Sequence, residues 1–262
     1  MAESHSAIIS SCLFCMVRVK GRDMNRLQKA FFDTVFLSYQ NKSKRQNRLS
    51  VRLYYDVIEN VLEEYMSNGG VVPVCKKGCS ACCNLHVSLL TPVVFYISEM
   101  IEENFSESQV YFIKKKLLLR AKVSEKYGDD TYRAPCVFLG KTSGQCLIYD
   151  FRPGACRRFV SGNVDICNQF AGSPPQDNRL LLSVSEFTEI LSVAVYKNGL
   201  FMDSHEMNRS LFMALSDRQL YKRWLTGEKN IFPGVAWERF ADCVRMTSDT
   251  IGDIKVVRGR RK

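Results

Sequence analysis

The chain has 262 residues, 46% of them hydrophobic, with 37 Lys and Arg against 27 Asp and Glu, a formal charge of +10. That apolar content can bury a core without cross-links, so a disulfide-stapled miniature is excluded, and no apolar run reaches the roughly 18–20 residues of a membrane span. The charge lies at the two ends, +7 within residues 1–52 and +4 within 252–262, leaving −1 for the rest, so no basic surface runs through the whole chain.

Residues 1–23 show no helical period and are expected to form a disordered tail, with Met24 as an alternative start. The first residues lack a basic region ahead of their short apolar stretch, so a soluble, cytoplasmic protein is expected. The tail holds a lone C-x-x-C, Cys12 and Cys15, too sparse to name a site. From Met24 the spacing predicts a helical hairpin over 24–70. Leu27, Phe31, Val35 and Tyr39 form one stripe, "NKSKRQN" interrupts, and Leu49, Leu53, Val57, Val61 and Tyr65 form the second until the "SNGG" stop. Thr91 is expected to cap the next helix with Pro92 at its first position, and "SESQ" (Ser106–Gln109) reads as a capping box for the one after. Between Asp129 and Pro175 the period vanishes and Gly and Pro recur, as in loops. It returns from Asp177 through Leu180, Leu181, Val184, Phe187 and Leu191 to Asn198–Gly199. Further helices are expected after Ser204, Ser216 (boxed by Gln219) and Pro233. The fold class is therefore mainly α, a helical domain wrapped around an irregular, loop-rich cysteine insert. The expected division is 1–23 tail, 24–70 hairpin, 71–175 cysteine region and 176–262 helical region with basic tail, with 24–255 able to form one compact domain. The basic ends read as a solvated helix face and a frayed tail, their expected partner an acidic protein or polyanion.

Eleven cysteines, an odd number without a secretion signal, argue for reduced thiols and metal ligation. "CKKGCSACC" places Cys75, Cys79, Cys82 and Cys83 in C-x3-C-x2-C-C, and Cys136, Cys146, Cys156 and Cys167 follow in the loop-rich stretch. One such cysteine alone would read as a small buried hydrophobe, but four in nine residues read as ligands. Adjacent thiolates converge on one ion less easily than spaced ones, so Cys82 and Cys83 are expected to point apart. The eight suffice for two four-sulfur sites, or for one with sulfurs to spare. His86 is a possible nitrogen ligand, though a satisfied or exposed imidazole is the simpler reading, and His205 and Cys243 read as structural. In "RPGACRR" Pro153 and Gly154 predict a sharp turn returning Cys156 to the cluster. Arg152, Arg157 and Arg158 can offset the formal −2 of a divalent ion or four-iron cluster held by four thiolates, with Arg152 and Arg157 the expected contacts to the bound centre.

These elements resemble the YkgJ-type cysteine-cluster proteins. After the first motif come Pro135, Cys136, Phe138 and Leu139, then Cys146, Ile148 and Tyr149, then Arg152, Pro153, Cys156 and Arg157, all in that family's order over roughly residues 72–170. The resemblance implies chelation of zinc or iron, the latter including an iron–sulfur cluster, but names no reaction. A longer relative, the flagellin lysine N-methylase, shares the cluster and implies an alternative, iron–sulfur-dependent methyl transfer to protein lysine. If the chain is catalytic, substrate is expected beside the "RPGACRR" turn. C-x3-C-x2-C also matches the triad of radical S-adenosylmethionine enzymes, but the helical patterns downstream do not supply their βα barrel. A third reading is an interaction module whose basic ends meet an acidic partner.

Overall fold

The computed structural model describes residues 24–76, 78–127, 132–169 and 176–232. The expectations for residues 1–23, the Pro233 helix, Cys243 and the basic tail lie outside them. The fold is mainly helical. α1 (Arg26–Gln40) starts on a capping box in which Asn25 and Gln28 exchange side-chain and backbone bonds. α2 (Lys44–Ser67) starts on Ser43, inside the stretch expected to interrupt the hairpin. It ends where the glycines predict, with Gly69 at φ +74°. Phe31, Val35 and Tyr39 of the first expected stripe and Val57 and Val61 of the second face the core. Phe31, Phe32, Val35 and Tyr39 are buried in α1, and Val51, Tyr54, Tyr55, Val57, Ile58 and Val61 in α2, while Leu27 and Leu49 are about half exposed.

The strand β1 (Ser88–Leu90) leads into α3 (Thr91–Asn104), and the Ser106–Gln109 box starts α4 (Glu107–Lys126) as expected. Thr91 does not cap α3. The cap position is Leu90, and the Thr91 hydroxyl instead accepts from the Asp203 N–H (3.1 Å) and meets His205 Nε2 (2.9 Å). Within the stretch read as loop lie a 3-10 turn (Tyr149–Phe151) and two short helices, α5 (Gly154–Arg158) and α6 (Val164–Gln169). α7 (Asn178–Lys197) is capped by Asp177 and closed at Gly199, φ +72°. β2 (Ser204–Glu206) pairs antiparallel with β1, Leu89 opposite His205. α8 (Met207–Ser216) follows with Glu206 accepting from the Asn208 and Arg209 N–H groups. α9 (Gln219–Leu225) lacks the Ser216 box, and Asp217 accepts its first N–H instead.

α7 packs across the α1–α2 pair, α8 packs against α3 and α4, and the two sets share one hydrophobic core. Two polar anchors fix the join. Fully buried Asn47 accepts from Tyr39 Oη (2.6 Å) and donates to the Pro92 carbonyl (3.0 Å), and Trp224 donates to the Phe201 carbonyl (2.6 Å). Around them Phe95 stacks on Tyr221 with centroids 4.4 Å apart, and Trp224 meets Tyr39 edge-on. Such ring pairs add about 0.5–1.5 kcal/mol each beyond area burial and tie α9 to α1 and α3.

Candidate metal centre

The chain leaves α2 through Gly69 and Gly70 and runs without regular structure over residues 71–76. Its backbone is tied at two points, Val71 N–H to Tyr65 Oη (2.9 Å) and Val74 N–H to the Ser161 carbonyl (2.9 Å). Tight turns then place the four cysteines of the first motif: Cys79 N–H donates to the Lys76 carbonyl, Cys83 N–H to Ser80 and Leu85 N–H to Cys82. Gly78 sits among these turns at φ +92°, with nothing near its Cβ direction, so conformation alone demands glycine there.

The second segment is stitched to the first by backbone bonds. Cys136 N–H donates to the Cys83 carbonyl (2.7 Å) and Ala134 N–H to Asn84 (3.2 Å). The chain then doubles back, with Leu147 N–H on the Phe138 carbonyl and Gly140 N–H on Gln145, both 2.8 Å, so that Cys146 bridges to Leu139. Cys156 lies in α5, which is seated on α2 at Gly154. A Cβ at Gly154 would stand 3.0 Å from Ile58 Cδ1 and 3.1 Å from Tyr54 Oη, so a larger residue would push the helix away. The expected sharp turn at Pro153–Gly154 is thus the start of a short helix, with Cys156 N–H donating to the Pro153 carbonyl (2.9 Å).

None of the eight described cysteines is disulfide-bonded. Their thiols influence one another in two sets. Burial raises Cys75, and Cys79, Cys82 and Cys167 raise it further. Burial raises Cys156 strongly, with Cys136, Cys82 and Cys146 adding to it. Cys136 is pushed up to about 11 by burial, then by Cys146 and Cys82. Cys82 belongs to both sets. It is raised furthest, first by the neighbouring Cys83 thiol and then by burial.

Among the described residues, no three His, Cys, Asp or Glu side chains already converge into a ready-made ion site. The sulfurs are neighbours, not a closed shell, yet the donor set fits a soft metal. It is all thiol, it is reduced, and what keeps the thiols protonated, burial first and their mutual repulsion second, is offset by a cation among them. Cys75, Cys79, Cys82, Cys83, Cys136, Cys146, Cys156 and Cys167 would hold zinc, or iron within a cluster, as thiolates.

The arginines divide. Arg152 lies over the Tyr149 ring (3.8 Å), and its charge favours the thiolate forms of Cys82, Cys146 and Cys156. Arg157, expected beside it at the bound centre, faces the other way. It pairs with Glu59, donates to the Asp150 and Arg152 carbonyls and lies 4.3 Å over the buried Tyr55 ring. All three of its nitrogens are thereby engaged away from sulfur, so it is a clamp between α5 and α2. Arg158 Nη1 is buried without a hydrogen-bond partner, and burial lowers its pKa, opposed first by Tyr54 and then by Cys156. His86 rests edge-on against Tyr132 (5.7 Å). His205 is a core residue, 1% exposed. Its partners Thr91 and Asp203 form a buried polar group that spacing did not reveal, because it spans β2 and the start of α3.

Residues 74–173 match the model of the CxxCxxCC family, described as a "putative zinc- or iron-chelating domain". No curated protein and no solved structure matches the chain. The segment is thus a metal-binding cysteine-cluster domain that takes in β1 and α3–α6, while α1, α2 and α7–α9 lie outside the match. Among the described residues no helix is long and apolar enough to cross a membrane.

Proposed function

We propose that the cysteines of residues 75–167 bind zinc or an iron–sulfur centre, and that binding fastens the irregular insert to the helical body. The carrying observation is the backbone bond from Cys136 to the Cys83 carbonyl, which brings two cysteine segments distant in sequence side by side. A bound metal supplies the cation that holds these thiols as thiolates, and each thiol loses its proton as it binds. Arg152 lowers the cost of that deprotonation, and α5, clamped by Arg157, holds Cys156 in place. Eight unbridged thiols suit a reducing compartment, which favours the cytoplasm.

The methyl-transfer alternative gains nothing from the site. Any catalytic reading expects substrate beside the "RPGACRR" turn, but Gly154 and Arg157 are buried and the segment is helix packed on α2. Anaerobic purification tests the proposal and identifies the metal. A brown protein absorbing near ~400 nm indicates iron–sulfur, and a colourless protein containing zinc indicates a zinc site. In either case chelation should lower the melting temperature. Protein lacking both metals, with a melting temperature indifferent to chelator, would overturn it.

A further inference from the structure

α4 turns its two faces to different surroundings. Ile113, Leu117 and Ala121 are buried, and the helix packs on α8. On the opposite face stand Tyr111, Phe112, Leu118 and Leu119, all exposed, with Phe112 at 61% and Leu119 at 64%. Their spacing is regular. Tyr111 and Leu118 are seven residues apart, as are Phe112 and Leu119, so the two pairs form neighbouring rows along the helix. Lys115 and Lys122 follow those rows by three and four residues and therefore stand between them. The Lys115 ammonium lies 4.5 Å over the Tyr111 ring.

Charge gathers on the same helix. Residues 107–126 hold Lys114, Lys115, Lys116, Arg120, Lys122 and Lys126 against Glu107 and Glu125, a net of +4, although the chain between its basic ends carries −1 overall. Glu125 is already paired with Arg209 (2.9 Å). A second copy of the chain is a poor cover for this face, because it would set like charges against each other. Single-stranded nucleic acid could stack on the aromatic rings, but the leucines offer no π-face to a base. A protein interface keeps a dry apolar centre and puts its charges on the rim, whereas here lysines stand among the apolar rows. A lipid headgroup layer matches the interleaving. Its phosphates and hydrocarbon lie at adjoining depths, so shallowly seated rings and leucines reach hydrocarbon while the lysine stems carry their ammonium groups up to phosphate.

We infer that the exposed face of α4 is a docking surface for an anionic phospholipid membrane, on which the helix lies flat without crossing. Tyr111, Phe112, Leu118 and Leu119 supply the apolar seat, and Lys115, Lys116, Lys122 and Lys126 the attraction to phosphate. The surface stands apart from the metal centre and does not depend on it. Each lysine brought to an anionic surface strengthens binding about fivefold, and the apolar seat makes the contact more than a salt-sensitive attraction.

The test is sedimentation of the purified full chain with vesicles of phosphatidylcholine, alone or with about one third phosphatidylserine. The chain should bind the anionic vesicles at least about tenfold more tightly than the neutral ones, and added salt should weaken that binding. Phe112→Gln with Leu119→Gln should weaken it at least about tenfold, and Lys115→Glu with Lys122→Glu at least about twenty-fivefold. All four side chains are exposed, so both double variants should keep the wild-type melting temperature. No affinity for anionic vesicles would overturn the proposal, and so would affinity that survives Phe112→Gln with Leu119→Gln, which would assign the attraction to charge alone. A single-stranded oligonucleotide bound more tightly than anionic vesicles, or dimerisation at raised concentration, if lost in these variants, would also overturn it by giving the face to nucleic acid or to a second copy.

Discussion

Replacing Arg157 with Lys keeps the positive charge and removes the planar fork, which separates a clamp on α2 from a support for the bound centre. The structure gives the size of the effect. Arg157 donates to two backbone carbonyls, each bond worth about 1 kcal/mol net, and lies over a buried tyrosine, worth about 2 kcal/mol when desolvated. Its pairing with Glu59 adds little, because Glu59 is 51% exposed and solvent screens the charge. Lysine can keep one of these contacts, so the net loss is about 2 kcal/mol. For a chain of this size that lowers the melting temperature by about 4–8 °C. The assay is thermal unfolding by circular dichroism, with and without excess chelator, beside elemental analysis of the folded protein. The clamp predicts the same fall in both conditions and unchanged metal content. An unchanged melting temperature after chelation, together with lost metal, would refute the reasoning and return Arg157 to the cluster.

Asn47→Leu should destabilise the fold by about 2–4 kcal/mol, since it leaves the Tyr39 hydroxyl and the Pro92 carbonyl buried without partners; denaturant unfolding measures it. Gly154→Ala should cost about 1–3 kcal/mol by pressing against Ile58 and Tyr54, and should weaken metal retention by lifting Cys156, both readable in a chelator titration monitored by melting temperature. Asp203 is buried at 1% exposure, and desolvation raises its carboxyl to about 7. The unfolded carboxyl ionises near 4, so its stabilising protonated form is fully present below that pH and is lost as pH rises towards 7. Nearby His205, lowered to about 3 by burial, acts on the acid side, its stabilisation being lost as pH falls below about 6.5. Asp203→Asn keeps the acceptor for the Ser204 N–H, so between pH 5 and 8 it should flatten the decline in stability that the wild type shows; an equal decline in both would exclude Asp203 as the cause.

What the sequence made legible was whatever is settled within a few residues. The Ser106–Gln109 box, the Asp177 start and the glycine stops at Gly69 and Gly199 are local chemistry, and they stand as read. Thr91 looked like a cap for the same reason, but its hydroxyl is taken by Asp203 and His205, more than a hundred residues away. Strands of three residues are too short to show alternation, so β1 and β2 left no trace in the pattern. The stripes in α1 and α2 were followed at a strict spacing of four, which drifts off the true face, and so Leu27 and Leu49 were misplaced. In the cluster, the density of thiols pointed to ligands, but not to the backbone bond from Cys136 to the Cys83 carbonyl, which joins segments far apart in the chain. Arg157 was misread because its partners Glu59 and Tyr55 lie on α2, nearly a hundred residues earlier.

Elemental analysis of anaerobically purified protein, wild type beside Cys82→Ser, tests metal binding most directly. Cys82 is the thiol that both sets share, so its loss should reduce zinc or iron per chain and lower the melting temperature together, because binding free energy is part of the folding free energy. Full metal content and an unchanged melting temperature in Cys82→Ser, or a wild-type chain that carries neither metal, would contradict the account.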